Sequence, residues 1–408
     1  AACGNRPCIA NIIRMNVSYN NFDMLEYGYG INLRPLATRA QQIYGDDPCT
    51  GFMPHVLEKN RFDPIPEELA AKMHKMIAII QFKVEGQTIM NHPEFKLDHR
   101  LMLDKINFED GTVNCYGEIY PIKDTNLPTI DSSDPYKLSP EEEEVMVALE
   151  ASIANSKKLQ EHINFLYTHG ALFTTYNGNL LFHGCIPFTE DGDFMEVTIA
   201  GKTNHGADLM RQLDQELREV YFNPRCELDK ADAANLMWYL WLGPDSPLFG
   251  KDKMTTFERL FIADKSTHKE HTVPYYKLIK NKDICIKIIR DFDLDPSKGI
   301  ILNGHVPVKI KDGESPIKGE GKLIVIDGGI SKAYQKTTGI AGYTFIFNSW
   351  FMALSEHEPY HPLQPDGTQE FKSPNIVTTH TLPERMLIID TDIGKVLQSQ
   401  IDDLQQLN

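Results

Sequence analysis

The stretch Lys322-Leu323-Ile324-Val325-Ile326-Asp327-Gly328-Gly329 decides how the chain is read. A short, unbroken apolar run stops at a carboxylate and two glycines. It is too short for an ordinary helix, and its lack of alternation marks a strand covered on both faces. The same pattern occurs twice more. Asn179-Leu180-Leu181-Phe182 runs into His183-Gly184, and Gly299-Ile300-Ile301-Leu302 runs into Asn303-Gly304-His305. Such strands belong to an α/β sheet, and such sheets collect ligands at the carboxyl ends of their strands.

Working outward, periodicity predicts helices over about 205–221, 229–242 and 282–292, with a polar stretch at 244–275. Residues 1–60 read as helices and loops, with Ile9, Ile12, Ile13 and Val17 at helical spacing. Asp63-Pro64-Ile65-Pro66-Glu67-Glu68 opens a helix whose apolar face is Leu69, Met73, Met76, Ile77, Ile80 and Val84, with Gly86 as its expected stop. From 87 to 137 the pattern turns to short strands or hairpins (Leu101-Met102-Leu103, the Asp110-Gly111 turn, Val113-Asn114-Cys115-Tyr116), read as a lid or inserted subdomain. Ser139-Pro140-Glu141-Glu142 is a capping box, and one long helix is expected to carry Val145, Leu149, Ile153, Leu159, Ile163 and Leu166. Near the end, Met386-Leu387-Ile388-Ile389 reads as a strand, then a turn and a helix from Val396. The domain reading is a helical segment at 1–86, a β-hairpin or lid insertion at 87–137, a core at 138–350 and a strand–turn–helix extension at 351–408.

The 408 residues are 41% hydrophobic and 24% charged, ample for a large core. Mean hydropathy is −0.34, and no apolar run approaches the ~18 residues of a membrane span. The net charge of −16 argues against nucleic-acid and anionic-membrane partners, since phosphate backbones select basic surfaces. A small phosphorylated substrate needs only a local cationic pocket. The cysteines (Cys3, Cys8, Cys49, Cys115, Cys185, Cys226, Cys285) are scattered and form no CxxC pair. That argues against a disulfide framework or zinc knuckle, and for a reducing cytoplasm. The N-terminal AACGNRPCIANIIRMN has neither the layout of a signal peptide nor an initiator Met, and reads as the start of a fragment or processed product.

His183 and His305 share one context: apolar strand, histidine, neighbouring glycine. They are either ligands of one metal in a shared crevice or ordinary hydrogen-bonded histidines at strand ends. Lys309, Lys311, Lys318 and Lys322, with Gly313, Gly319 and Gly321, are either a phosphate-binding loop or a solvated loop balancing Asp312, Glu314 and Glu320. Lys251, Lys253 and Arg259 pose the same choice around Pro247-Leu248-Phe249-Gly250. Trp238, Tyr239 and Trp241 read as an aromatic helix packed in the core before a sugar platform. Cys185 lacks a partner base and reads as a small buried residue.

His183-Gly184-Cys185-Ile186-Pro187 resembles the His-Gly-Gly-x-x-Pro signature of calcineurin-like metallophosphoesterases, and Asn303-Gly304-His305-Val306-Pro307-Val308-Lys309 stands where that superfamily has its later metal histidine. Longer blocks narrow the match. Leu240 to Met254, Gly321 to Gln335 and Leu25-Glu26-Tyr27-Gly28-Tyr29-Gly30-Ile31-Asn32-Leu33 resemble the class III fructose-1,6-bisphosphatases, across essentially the whole chain.

The resemblance implies an α/β fold: part of a metallophosphoesterase-type β-sandwich flanked by helices, with an inserted or lid-like β-containing segment. It implies a two-metal site, filled by manganese (Mn2+), with His183 and His305 on one metal and fructose 1,6-bisphosphate as substrate, in gluconeogenesis. Phosphate contacts would fall to Lys309, Lys311, Lys251, Lys253 and Arg259. A homo-oligomer is compatible with it. Three superfamily motifs, Asp-x-His, Gly-Asp-x-x-Asp-Arg and Gly-Asn-His, do not occur here. Gly45-Asp46-Asp47-Pro48 and Gly4-Asn5-Arg6 are not substitutes, and Pro307 stands where some relatives have a second histidine. The chain is therefore expected to be the carboxyl-terminal portion of a longer enzyme, with the catalytic aspartate and general-acid histidine upstream of Ala1. Two alternatives accompany this reading: a non-catalytic fragment or sugar-phosphate-binding regulatory module, and a metallophosphatase acting on another phosphomonoester.

Overall fold

The structure, a computed structural model, describes residues 4–55, 65–199, 201–223, 227–329, 338–339, 342–358 and 375–407. The fold is mixed α/β and divides into two compact units: residues 1–170, 215–246 and 251–271, and residues 171–214, 247–250 and 272–408.

In the first unit, α1 (Arg6–Ser18) and α2 (Arg34–Ile43) pack on α3 (Glu67–Asn91), and α4 (Pro140–Asn155) packs on α1 and α2. The sequence predicts one apolar face for α3 and a stop at Gly86. Instead the helix runs on to Asn91 and is buried on nearly every side from Ala70 to Gly86. Its charges are paired inside. Lys75 reaches Asp47 (2.5 Å) and Asp124 (2.7 Å), Lys83 reaches Glu142 (2.7 Å), and Glu85 takes Arg100 (2.6 Å). A buried charge is tolerable only with such partners. Gly86 is there for contact, not termination: a Cβ would lie 2.1 Å from the Tyr136 ring.

The capping box forms, with Ser139 and Glu142 bonding reciprocally. The long helix it opens breaks at Ser156, which leaves helical geometry and caps a separate α5 (Lys157–His169) by accepting the Leu159 N–H. β1 (Ile106–Asn107), β2 (Thr112–Cys115) and β3 (Glu118–Pro121) form an antiparallel sheet. Leu101–Leu103 is not a strand, because short 3₁₀ turns at Asp98–Arg100 and Leu103–Lys105 occupy that stretch. In α7 (Glu227–Leu242), Trp238 is buried and Tyr239 stacks on Phe95, whereas Trp241 faces outward. The last helix of the unit is α8 (Thr256–Phe261). Cys8 is disulfide-bonded, which the cysteine spacing did not indicate; Cys49, Cys115, Cys185 and Cys285 are buried thiols outside any disulfide.

The second unit is built on a five-stranded sheet ordered β4-β5-β8-β10-β9. β5 (Asn179–Phe182), β8 (Ile301–Asn303) and β10 (Leu323–Val325) are parallel. β4 (Phe173–Tyr176) and β9 (Ile317–Lys318) close the two edges antiparallel. β6 (Val197–Ile199) and β7 (Lys202–Asn204) make a separate hairpin. One face of the main sheet packs on α6 (Gly206–Phe222), α9 (Tyr275–Leu278) and α10 (Lys282–Asp291) through Ala207, Met210, Tyr275, Cys285, Ile288 and Ile289. On the other face, Ile300, Leu302 and Ile324 meet Met352 and Leu354 of an antiparallel sheet, β11 (Gly342–Phe347), β12 (Phe351–His357) and β13 (Ile376–Thr381). The three strands expected from the sequence are present.

Met386-Leu387-Ile388-Ile389 is not a strand. Asp390 accepts the Leu387 N–H (2.8 Å) and folds the segment into a 3₁₀ turn ahead of α11 (Asp392–Gln406). No helix among the described residues is long and apolar enough to cross a membrane.

Candidate functional site

Parallel pairing places Phe182, Asn303 and Val325 side by side, so the residues that follow them leave the sheet at one edge. Backbone bonds tie these exits together. Gly304 N–H donates to the His183 carbonyl (2.9 Å), Ile326 N–H to the Asn303 carbonyl (2.9 Å), and Val308 N–H to the Asp327 carbonyl (2.9 Å). The Asn303 side-chain amide donates to the Gly184 carbonyl (2.6 Å).

His183 and His305 are thereby brought together, with His183 Nε2 2.9 Å from His305 Nδ1. The other nitrogen of His305 lies 2.8 Å from the Phe249 carbonyl. A carbonyl only accepts, so Nε2 carries the proton and Nδ1 of the neutral ring offers a lone pair toward His183. His305 reaches this pose in the left-handed region, at φ +70°, which a histidine adopts at a steric cost. Partial burial first, and neighbouring His305 second, hold the His183 imidazole below its ordinary pKa, against the pull of Asp327. Both effects favour the neutral, ligating form.

Gly184 allows the arrangement. Its Cβ, were there one, would fall 2.2 Å from the Pro247 carbonyl, which accepts the Cys185 N–H at 2.8 Å. That close approach seats residues 247–250 and so sets the Phe249 carbonyl under His305. Cys185 is fully enclosed, and burial pushes its thiol up to about 12, so it is packing and not a nucleophile.

As a metal site, the pair is defined by its donors. The 2.9 Å separation is that of an imidazole–imidazole hydrogen bond, and it places both ring nitrogens where one cation could also meet them. The Nε2–H to carbonyl bond is the usual outer support of a ligating histidine. The donor set nonetheless stops at two neutral nitrogens. Among the described residues no group of three or more His, Cys, Asp or Glu side chains is gathered for a metal. Hard divalent cations favour additional oxygen donors.

The predicted cations are divided between the two units. Lys309 and Lys311 are exposed in the second unit, on the chain leaving His305. Lys251 and Arg259 converge in the first unit on Glu270 (2.8 and 3.6 Å), and Arg259 also donates to the His268 carbonyl (2.9 Å). Lys253 lies over the Tyr116 ring, 3.9 Å from its centre. Asp327, at the end of its strand, is not among the site residues expected from the sequence. The structure puts it at the same edge, close enough to act on His183. Its position after the third matching strand was the available signal. The Phe249 carbonyl gave none, because backbone acceptors leave no mark in side-chain pattern.

The chain belongs to the family described as Firmicute fructose-1,6-bisphosphatase, whose sequence model matches residues 1–408. It is 51% identical over 409 residues to the class 3 fructose-1,6-bisphosphatase of Clostridium tetani (strain Massachusetts / E88), covering 100% of this chain and 62% of that protein. The proteins of the same name from Clostridium botulinum (strain 657 / Type Ba4) and Clostridium novyi (strain NT) are 49% and 48% identical, with 61% of each covered. The chain thus spans about three fifths of the length of these relatives. No solved structure matches it.

Proposed function

We propose that this protein serves the hydrolysis of fructose 1,6-bisphosphate to fructose 6-phosphate and phosphate, in the gluconeogenic direction and in the cytoplasm. His183 and His305 would be two ligands of a divalent ion, Mn2+ in the first instance. The observation that carries this is the convergence of the two histidines at one sheet edge, in a chain matched along its length by the family. A divalent ion bound there would supply Lewis-acid polarisation of a phosphoryl oxygen and a more acidic water.

The protein's own residues act around it. Phe249 fixes the His305 tautomer, Gly184 seats the segment bearing Phe249, and the low pKa of His183 keeps its nitrogen available. Lys309, Lys311, Lys251, Lys253 and Arg259 are the cations proposed to meet the sugar phosphates. The two sheets that share a core in the second unit agree with a metallophosphoesterase-type sandwich.

The test is manganese-dependent phosphate release from fructose 1,6-bisphosphate, paired with Mn2+ titration followed by electron paramagnetic resonance. His183→Ala and His305→Ala are each expected to weaken Mn2+ binding at least about tenfold, the low end of the loss seen even for outer-shell partners. A smaller loss in both would take the pair out of the metal site.

The short donor set favours a second reading, in which the 408-residue chain alone binds a phosphorylated sugar without turning it over. Binding of the bisphosphate with no phosphate release would select it.

A further inference from the structure

The stretch Leu25 to Leu33 carries part of the resemblance to the family, yet nothing proposed above uses it. Its local structure is unusual. Met24–Gly28 forms a π-helical turn, a rare conformation concentrated at functional sites. Gly30 follows at φ +69°, a left-handed angle that favours glycine.

Two serines at the end of α4 hold this stretch. Ser152 Oγ accepts the Asn32 N–H (2.8 Å), and Ser156 Oγ donates to the Tyr29 carbonyl (2.5 Å). Ser156 is also the residue at which α4 stops and α5 begins, although the apolar stripe runs on past it. The break therefore fixes residues 29–32 against the end of α4.

A pocket of about 430 Å³ opens at this junction, within the size range of small-molecule sites. Small residues, Gly30, Ala148 and Ala151, leave it unfilled. Its polar side chains are only partly used. Asn32 Oδ1 accepts the Arg34 N–H (3.1 Å), and Asn155 Nδ2 donates to the Ala151 carbonyl (2.8 Å). Among the described residues, Asn32 Nδ2 has no acceptor and Asn155 Oδ1 has no donor. The Lys157 ammonium has a loose contact with Glu161 (3.8 Å). Lys158 stands over the ring of Tyr29, itself a wall of the pocket, 5.6 Å from the ring centre. Two ammonium groups thus border the pocket against one carboxylate, Glu161, since neighbouring Glu150 is closed on Arg6 (3.0 Å).

Unused amide donors, an unused amide acceptor and an ammonium around one small pocket match a molecule bearing both hydroxyls and an anionic group. A hydroxyl accepts from one amide and donates to another, so it answers Asn32 and Asn155 together. A phosphoryl group answers the lysines. A bare anion would leave Asn155 Oδ1 unmet, and an apolar ligand would leave all four groups unmet.

We propose that this pocket binds a phosphorylated sugar, with Asn32 and Asn155 on its hydroxyls and Lys157 and Lys158 at its phosphoryl group. It is a second sugar-phosphate site, contained in the first unit, whereas the histidine pair belongs to the second. The choice of fructose 6-phosphate as probe rests on the fructose-bisphosphate reading; the pocket and its unused groups do not.

The test is calorimetric titration of the whole chain with fructose 6-phosphate in EDTA, so that no metal can hold the ligand at His183 and His305. Saturable binding is expected, at least about tenfold tighter than that of fructose or of inorganic phosphate, each of which lacks one set of contacts. Asn32→Asp keeps the oxygen that accepts from Arg34, removes both donors and adds a repelling charge, and should weaken binding at least about tenfold. Lys157→Gln should cost about three- to tenfold, the range of one hydrogen bond. Ala151→Trp fills the pocket from an exposed position and should abolish binding. Melting curves matching the parent protein establish that each variant is folded.

Nitrogen-15 labelling of the asparagine amides adds a readout that a purely structural role would not move. The Asn32 and Asn155 side-chain signals should shift with occupancy in the parent protein, and should not shift in Ala151→Trp. His305→Ala should bind as the parent does, so loss of the metal reading and loss of this one are separate results. Absence of saturable binding, unchanged affinities in Asn32→Asp and Ala151→Trp, or phosphate binding as tightly as the sugar ester overturns the proposal. Binding lost in His305→Ala but kept in the pocket variants overturns it too, by placing the ligand at the sheet edge.

Discussion

Gly184→Ala probes the proposed metal pair through a residue that touches neither ring. The added Cβ would stand 2.2 Å from the Pro247 carbonyl oxygen. Restoring ordinary contact requires the backbone at 247 to retreat by at least about 1 Å. The bond from Cys185 N–H to Pro247, now 2.8 Å, is lost in that movement. Phe249 is two residues further on, and its carbonyl is the 2.8 Å acceptor that fixes the proton on His305 Nε2. Without it His305 can populate the other tautomer, whose protonated Nδ1 cannot ligate. Losing an outer-shell partner of this kind costs about 10- to 100-fold in metal affinity. Mn2+ titration of the parent protein, Gly184→Ala and a Gly51→Ala control, whose new Cβ meets nothing closer than 4.0 Å, measures the effect. Nitrogen-15 shifts of His305 report the tautomer without any metal. An affinity for Gly184→Ala within threefold of the parent, or an unmoved His305 tautomer in a folded variant, refutes the relay through Pro247 and Phe249. If the parent protein itself fails to bind Mn2+, the metal assignment falls and the tautomer readout still tests the relay.

Glu142→Gln removes the carboxylate paired with wholly buried Lys83 and leaves the ammonium uncharged acceptors only, the Thr129 carbonyl at 2.5 Å among them. The expected loss of about 3–5 kcal/mol is read as a lowered denaturant midpoint, and Lys83→Met added to it should recover much of that loss. Gly86→Ala gains about 1 kcal/mol of helix propensity but drives a methyl into Tyr136. A net loss of about 1–3 kcal/mol is expected, and pairing it with Tyr136→Leu should relieve it. His74 is buried, with Nδ1 2.9 Å from the Phe52 carbonyl, and burial lowers its pKa to about 4. The folded pKa lies below the ordinary value of about 6.5, so the unfolded chain binds more protons between the two. That contribution is full above pH ~6.5 and fades as pH falls toward 4. His74→Asn should flatten stability across this window, and an unchanged slope would exclude His74 as its source.

What could be read from the sequence follows the range of each interaction. The three buried strands were legible because runs such as Leu323 to Val325 must be covered on both faces, and their common exits made His183 and His305 candidates together. The capping box at Ser139 was legible because all its partners lie within one turn. α3 was misjudged because its determinants are distant: Lys75, Lys83 and Glu85 look solvent-facing until Asp47, Asp124, Glu142 and Arg100 are placed. Gly86 was mistaken for a stop for the same reason, since its constraint is a ring fifty positions away. Ser156 ended α4 although the apolar stripe continues past it, because a periodic pattern records burial and not the dihedral angles of the residue between two turns.

The same distinction separates the two cation groups around residues 251–259. Lys251 and Arg259 resemble a phosphate loop in sequence, yet both close on Glu270, which spends part of their charge inside the fold. Lys253, two positions from Lys251, turns instead to the face of the Tyr116 ring. Sequence proximity groups Lys251 with Lys253. Their partners in the fold separate them: a carboxylate for Lys251 and an aromatic face for Lys253. Lys309 and Lys311 differ from both. They are exposed, so their pull on a phosphate is screened by solvent and salt, and for them a role must come from the substrate's position and not from an unmet demand in the fold.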